Sequence, residues 1–210
     1  MSKEQFPAQH AAFLAATERA QWVPSDYFGV ASIAEVFGRD APLEVDLGCG
    51  DGTFLLALAK CHSDRNFLGV ERLAGRVEKV SRRIARSGLS NVRVARIESA
   101  YTLGHLLPER SVERLFVLFP DPWPKRHHHR RRLIQLDFLE KARRALKPNG
   151  ELWVKTDDEP YFRWMERVFS QASGYERVEW PLPDEMPQTD FEELFVAKGL
   201  PIYRARLRKV

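Results

Sequence analysis

The chain predicts an α/β fold, a mostly parallel sheet with helices on both faces. Short apolar runs alternate with segments whose apolar residues recur every three or four positions. Glycines follow the first such run, in Asp46-Leu47-Gly48-Cys49-Gly50-Asp51-Gly52, where a parallel sheet turns from strand to helix. Hydrophobic residues make up 44% and charged residues 30% of the 210 positions, too apolar for a disordered chain and sufficient for one domain with a core.

Each element has its own signal. A helix is expected near residues 7–16, inside an N-terminal helical extension of residues 1–40. Residues 43–47 read as a buried strand, the glycines as a loop and 53–60 as a helix. Residues 66–70 form a second strand; Leu73, Val77, Val80 and Ile84 then recur at helical spacing, and Gly88 closes that helix. Residues 92–97 and 114–119 read as the third and fourth strands. Ile134, Phe138, Ala142 and Ala145 mark a helix stopped by Pro148-Asn149-Gly150, and 151–155 is a fifth strand. Residues 160–172 form a helix with Pro160 at its start, where a missing N–H costs nothing. Two last strands, near 176–179 and 202–207, flank a polar loop. No repeat or low-complexity linker divides the chain, so residues 1–210 are read as a single domain. Ligands of such sheets sit at the carboxyl ends of the strands.

Composition excludes several classes. The longest uninterrupted apolar stretch is 54–59, far short of the ~18 residues of a membrane span. The N-terminus lacks a basic segment followed by a long apolar core, so no secretory signal is expected. Cys49 and Cys61 have no zinc spacing and are too few for a disulfide framework. They read as two buried thiols in a reducing cytoplasm. The net charge of +4 hides a pattern: residues 51–150 carry 21 basic and 10 acidic groups, while the two ends together carry 12 and 19. The middle therefore suits an anionic partner.

The glycine loop points to a nucleoside-containing cofactor, because Glu71 ends the second strand where a carboxylate would bind ribose hydroxyls. The spacing is G-x-G-x-G, and Asp46 and Asp51 lie in or beside the loop. A pyrophosphate would be repelled by them. S-adenosylmethionine has no phosphate and carries a sulfonium and an ammonium, which suit nearby carboxylates. Glu98, at the end of the third strand, could approach the adenine or stand as an exposed strand-end acid.

A second candidate follows the fourth strand. Three prolines stiffen Phe119-Pro120-Asp121-Pro122-Trp123-Pro124-Lys125 and hold Asp121 with little freedom. Asp121 is either a functional carboxylate or the cap of a structural turn. Trp123 is either a stacking surface for a base or a core residue. Every residue from 125 to 132 is Lys, Arg or His, either a solvated face or a phosphate-binding pattern in which Arg126, Arg130, Arg131 and Arg132 would meet an RNA backbone. Neighbouring helical residues point ~100° apart, so His127, His128 and His129 do not converge and no metal site is expected. A basic face at Arg72, Arg76, Lys79 and Arg83 would extend the patch or be plain solvated surface.

The C-terminal part is acidic: 11 acids stand against 3 bases from 157 to 193. Asp157 follows the fifth strand and can face the central crevice, whereas Asp158 and Glu159 suit a helix cap. Guanine offers adjacent donors at N1 and N2 that a carboxylate accepts, so acids in a basic protein make sense if the target is a guanine embedded in phosphates; each acid alone also reads as a surface or capping group.

Together these residues resemble the bacterial tRNA (guanine-46-N7)-methyltransferase family from about Leu43 to the C-terminus. Residues 119–125 with the basic run, Thr156-Asp157 and Thr189-x-Phe191-Glu192 are the most specific elements. The resemblance implies a Rossmann-like class I methyltransferase fold, a seven-stranded sheet whose last strand is antiparallel. It implies S-adenosylmethionine contacts at Asp46, Gly48, Gly50, Glu71, Glu98 and Asp121. It places substrate contacts at Lys125, Asp157, Thr189, Asp190, Phe191 and Glu192, with Asp121 as catalytic residue. Asp46 stands where the family often has Glu, and Glu98 where it often has Asp. The implied partner is tRNA, in the cytoplasm, with no membrane and no protein partner evident. Two alternatives stay open: an exocyclic-amine methyltransferase, whose proline–aromatic motif differs by one position, and an RNA-binding protein without catalysis.

Overall fold

The computed structural model describes residues 5–181 and 186–210, with side chains from residue 8 onward. Helix α1 (Gln5–Ala20) leads into strand β1 (Gln21–Trp22) and short helix α2 (Ile33–Phe37). Then β2 (Leu43–Leu47), α3 (Thr53–Cys61), β3 (Asn66–Glu71), α4 (Ala74–Ser87) and β4 (Val92–Arg96) follow. A single turn, α5 (Ser99–Tyr101), runs into a π-helical turn at Thr102–Leu106 ahead of β5 (Val112–Leu118). A 3₁₀ helix at Arg126–Arg131 precedes α6 (Leu136–Ala145), β6 (Leu146–Thr156), α7 (Glu159–Gln171), β7 (Tyr175–Val178), α8 (Asp190–Ala197) and β8 (Tyr203–Lys209).

The strands lie in the order β1-β4-β3-β2-β5-β6-β8-β7. The pairs from β1 through β6 are parallel, and β8 is antiparallel to both its neighbours. The chain order reverses between β2 and β5, which opens a crevice beyond their carboxyl ends. Side chains alternate across the sheet with period two. Val45, Leu68, Leu115, Val117, Leu152 and Val154 enter one core with α6 and α7. Phe67, Phe116 and Trp153 enter the other with α3 and α4. The near-continuous apolar runs are therefore strands covered on both faces. Gly69 lets α3 and the glycine loop press on β3: a Cβ there would lie 2.7 Å from Leu55 Cδ2 and 2.8 Å from Cys49 Sγ.

Four features differ from the sequence expectation. Among the described residues the sheet has eight strands, not seven. The added strand, β1, pairs Gln21 and Trp22 with Val94 and Ala95 at the edge, and two residues are too few to show a period. It draws part of the N-terminal extension into the sheet, and α1 packs on α4 with Arg86 over the Phe13 ring at 5.6 Å. Pro148-Asn149-Gly150 does end α6, but β6 already begins at Leu146, because a register shift opposite Val112–Arg114 absorbs those residues as a bulge with Asn149 at φ 62°. The expected polar loop before the last strand holds α8, capped by the Thr189 side chain, which accepts from Glu192 N–H at 3.0 Å. Cys49 is buried as expected, whereas Cys61, at the last turn of α3, is exposed.

Candidate functional site

A cleft of about 950 Å³ lies at the carboxyl ends of β2, β3, β4 and β5. The glycine loop forms its floor. Gly48, Gly50 and Gly52 adopt φ of 86°, 59° and 79°, values that L side chains rarely take. The turn is fastened to β3, since Gly48 and Cys49 N–H both donate to Val70 O, at 2.8 and 3.0 Å.

Five of the carboxylates that line this cleft lie at the ends of strands β2 to β5 or just after them, in different states. Asp46 is 3% exposed, and none of the described residues donates a hydrogen bond to it. Burial, reinforced by the Glu71 charge, pushes its carboxyl up to about 7. Asp51 is engaged: against the penalty of partial burial, hydrogen bonds from Thr53 and the cations Lys79 and Arg83 hold it down to about 2. Its Oδ1 accepts from Thr53 N–H and Oγ1, while Oδ2 lies 2.7 Å from Arg83 and 3.2 Å from Lys79. Glu71 accepts from Arg72 and Leu73 N–H through Oε1 at 2.7 and 2.9 Å, with Arg76 3.6 Å from Oε2. Glu98 caps α5 by accepting from Tyr101 N–H at 2.7 Å, and remains exposed on the cleft wall. Asp121 stands exposed on the opposite wall. Burial and the neighbouring acids push the Cys49 thiol well up, which disfavours the nucleophilic thiolate.

The Asp121 loop is fixed by more than prolines. Phe119 and Trp123 both have positive φ, at 53° and 45°, strain that costs roughly 1–3 kcal/mol each and persists only where surroundings enforce it. Phe119 N–H donates to Lys155 O at 2.8 Å. Arg132 Nε donates to Pro122 O at 2.8 Å, and its guanidinium lies over the rings of Tyr161 and Trp164 at 4.8 and 5.4 Å. Arg132 is thus buried, at 4% exposure. This corrects the expectation that it meets an RNA backbone: it is the bolt behind the loop. Arg126, Arg130 and Arg131 are exposed, and Arg131 lies over the half-buried Trp123 at 5.0 Å, where both reach the cleft.

Asp46, Gly48, Gly50, Glu71, Glu98 and Asp121 therefore line one cleft, together with Thr189, Asp190 and Phe191 from the start of α8. Lys125, exposed at the head of the 3₁₀ helix, and the half-buried Asp157 lie outside its walls. Glu192 turns inward: it is 1% exposed, with both carboxylate oxygens 2.9 Å from Lys155 Nζ and Oε1 3.3 Å from Arg204. It does not line the cleft, because α8 carries position 192 on its buried side. Asp158 caps α7, accepting from Tyr161 N–H at 2.7 Å. On α4, Arg76, Lys79, Arg82 and Arg83 each pair with a carboxylate, so that face is largely spoken for rather than a free extension of the basic run. The tether of Asp51 to α4 and the roles of Lys155 and Arg132 escape sequence reasoning; the one local signal was the Thr189-x-x-Glu192 spacing, which also reads as a helix cap.

Among the described residues no three His, Cys, Asp or Glu side chains group as metal ligands, and no helix is long and apolar enough to cross a membrane. A family model described as a putative methyltransferase matches residues 40–205. The chain is 37% identical over 181 residues to a tRNA (guanine-N(7)-)-methyltransferase of Pseudomonas putida strain W619, covering 84% of this chain and 75% of that one. It is 38% identical over 176 residues to the enzyme of the same description from Halorhodospira halophila, covering 81% and 76%. Among solved structures, the 16S rRNA methyltransferase KamB superposes with a TM-score of 0.67 at 16% identity, over 90% of this chain and 97% of that one. The aminoglycoside resistance methyltransferase NpmB1 gives 0.55 at 24% identity, over 85% and 92%. At these identities the structures support the fold.

Proposed function

The chain belongs to the tRNA (guanine-N7)-methyltransferase family, and from that premise we propose that it methylates N7 of guanine-46 in tRNA, with S-adenosylmethionine as donor, in the cytoplasm. The observation that carries the reading is the single cleft that joins a glycine floor and an unengaged buried carboxylate to Asp121 and Arg131 on the facing wall. The floor fits this donor. The turn carries no side chain at Gly48 or Gly50, so a ligand can lie against backbone, and the acids on and beside it suit a cation better than a pyrophosphate.

When bound, S-adenosylmethionine would supply an electrophilic sulfonium methyl; the free lone pair of guanine N7 would form the N–C bond as the S–C bond breaks, with S-adenosylhomocysteine as leaving group, the positive charge passing to the purine and no prior loss of a proton. The chain must therefore hold, align and compensate charge, rather than abstract a proton. Asp46 would balance the donor's positive charge, Glu71 would hold its ribose and Glu98 would meet its adenine. Asp121 holds the guanine in line and offsets the charge arriving on the purine. Lys125 and the exposed arginines bind phosphates. Phe191 and Trp123 offer flat surfaces to a base taken out of its stack.

The test is an unmodified tRNA transcript with labelled S-adenosylmethionine, followed by nucleoside analysis and mapping of the site. 7-Methylguanosine at position 46 is expected. An amine-methylated base would replace this reading with the exocyclic-amine enzyme, and tRNA binding without cofactor binding would replace it with an RNA-binding protein.

Asp46 sets a pH dependence. Its carboxyl is raised from 3.8 to about 7 in the folded chain, so its contribution to stability is complete below about pH 4 and is lost as pH rises through about 7. A bound cation favours the ionised form. Cofactor affinity should therefore rise from pH 6 towards pH 8 by about tenfold per unit below the pKa and then level off. Calorimetry across that range checks this, and in Asp46→Asn the slope should disappear.

A further inference from the structure

Lys155 touches two elements that line the cleft, the Asp121 loop and α8. It is on β6, immediately before Thr156-Asp157, and it is 1% exposed. Its backbone carbonyl accepts from Phe119 N–H, at the head of the Asp121 loop. Its ammonium binds both oxygens of Glu192 on α8 at 2.9 Å and lies 5.2 Å from the centre of the Trp180 ring. Glu192 N–H in turn donates to Thr189 Oγ1, closing the first turn of α8, whose residues Asp190 and Phe191 line the cleft. Phe195 of the same helix packs on Phe119 at 5.4 Å.

A buried ion pair is a poor device for stability alone. Two charges lose their water, and apolar side chains of similar size often hold a core as well or better. What the pair does supply is direction. A carboxylate gripped through both oxygens fixes the rotation of α8 and its height above the sheet, which apolar contact leaves loose. We infer that Lys155 is a positioning residue for methyl transfer: through Glu192 it sets Thr189, Asp190 and Phe191 against the guanine, while its carbonyl sets the loop that carries Asp121. Glu192 then acts from below the site, as the anchor of α8, instead of gripping guanine itself. The inference rests on the tRNA-methylation reading.

The experiment measures tRNA turnover, cofactor affinity and thermal midpoint for Lys155→Met, Lys155→Arg, Glu192→Gln and the apolar double variant Lys155→Met/Glu192→Leu. Misplacement of about 1 Å costs on the order of 100-fold, so Lys155→Met and the double variant should lose about that much in kcat, with cofactor affinity retained. Lys155→Arg should recover part of the turnover. Glu192→Gln, whose amide oxygen still accepts from Lys155, should lose only about tenfold. The double variant removes both buried charges and is expected to stay folded; if it does not, the isosteric Glu192→Gln measured against Lys155→Arg gives the same discrimination. Wild-type-like turnover in a folded double variant overturns the inference. So does a Glu192→Gln variant that is inactive beside an active Lys155→Met, which would put Glu192 on the guanine. Parallel loss of cofactor binding and turnover would also overturn it, as general collapse. Absence of 7-methylguanosine with the wild-type chain fails the tRNA reading instead.

Discussion

Asp121→Ala should lower the turnover of tRNA methylation by about 10²- to 10³-fold while S-adenosylmethionine still binds. That range is the cost of removing one preorganised electrostatic group from a reacting centre, about 2.7–4 kcal/mol. Two features of the structure justify placing Asp121 in that class. It is exposed in the cleft on a loop pinned by the buried Arg132, by Phe119 N–H on Lys155 O and by two residues at positive φ. It also faces the wall that carries Glu71 and Glu98, which in the proposed reading share the cofactor's binding, so losing one contact should leave cofactor affinity within several-fold. Asp121→Asn keeps the shape and removes the charge. If alignment dominates, Asn recovers much of the rate; if offsetting the purine's charge dominates, Asn stays near Ala. Single-turnover measurements with saturating cofactor separate these from weaker binding. Full turnover in Asp121→Ala, with normal cofactor affinity, would remove the residue from the mechanism.

The central sheet was legible because β2, β3, β5 and β6 are buried on both faces and therefore appear as dense apolar runs. The edges were not. β1 is two residues long and is specified by its neighbour β4 rather than by any local pattern. Helix α8 hid in an acidic stretch with exposed Phe191, Leu194 and Val196, where composition suggested a loop; part of that stretch, residues 182–185, lies outside the described residues. The cleft shows the same division. The glycine turn and the proline loop announce themselves because backbone demands select residue types. The fate of a charged side chain does not, since it depends on what packs behind it. Arg132 looks identical to Arg130 and Arg131 in the run yet points inward onto Tyr161 and Trp164. Glu192 sits in a motif that resembles a substrate contact and is paired with Lys155 under the helix.

Salt should separate the two ligands. The exposed Lys125, Arg126, Arg130 and Arg131 face water without a carboxylate partner among the described residues, whereas the cations along α4 are mostly paired. Four phosphate contacts give a slope of log affinity against log salt near −3 to −4, so raising salt from 50 to 200 mM should weaken tRNA binding about 100-fold. In the proposed site the cofactor meets carboxylates in a partly enclosed cleft, where screening is much weaker, and its affinity should change less than about twofold. The variants then divide the basic run. Arg130→Ala should reduce the slope by about one. Arg132→Ala should leave the slope alone and lower turnover, because it releases Pro122 and with it the Asp121 loop. Filter binding of tRNA and calorimetry of the cofactor over the same salt series read both quantities. Equal salt sensitivity of the two ligands would contradict the separation of an RNA-facing basic surface from an acid-lined cofactor site. A changed slope in Arg132→Ala would return that residue to the RNA surface.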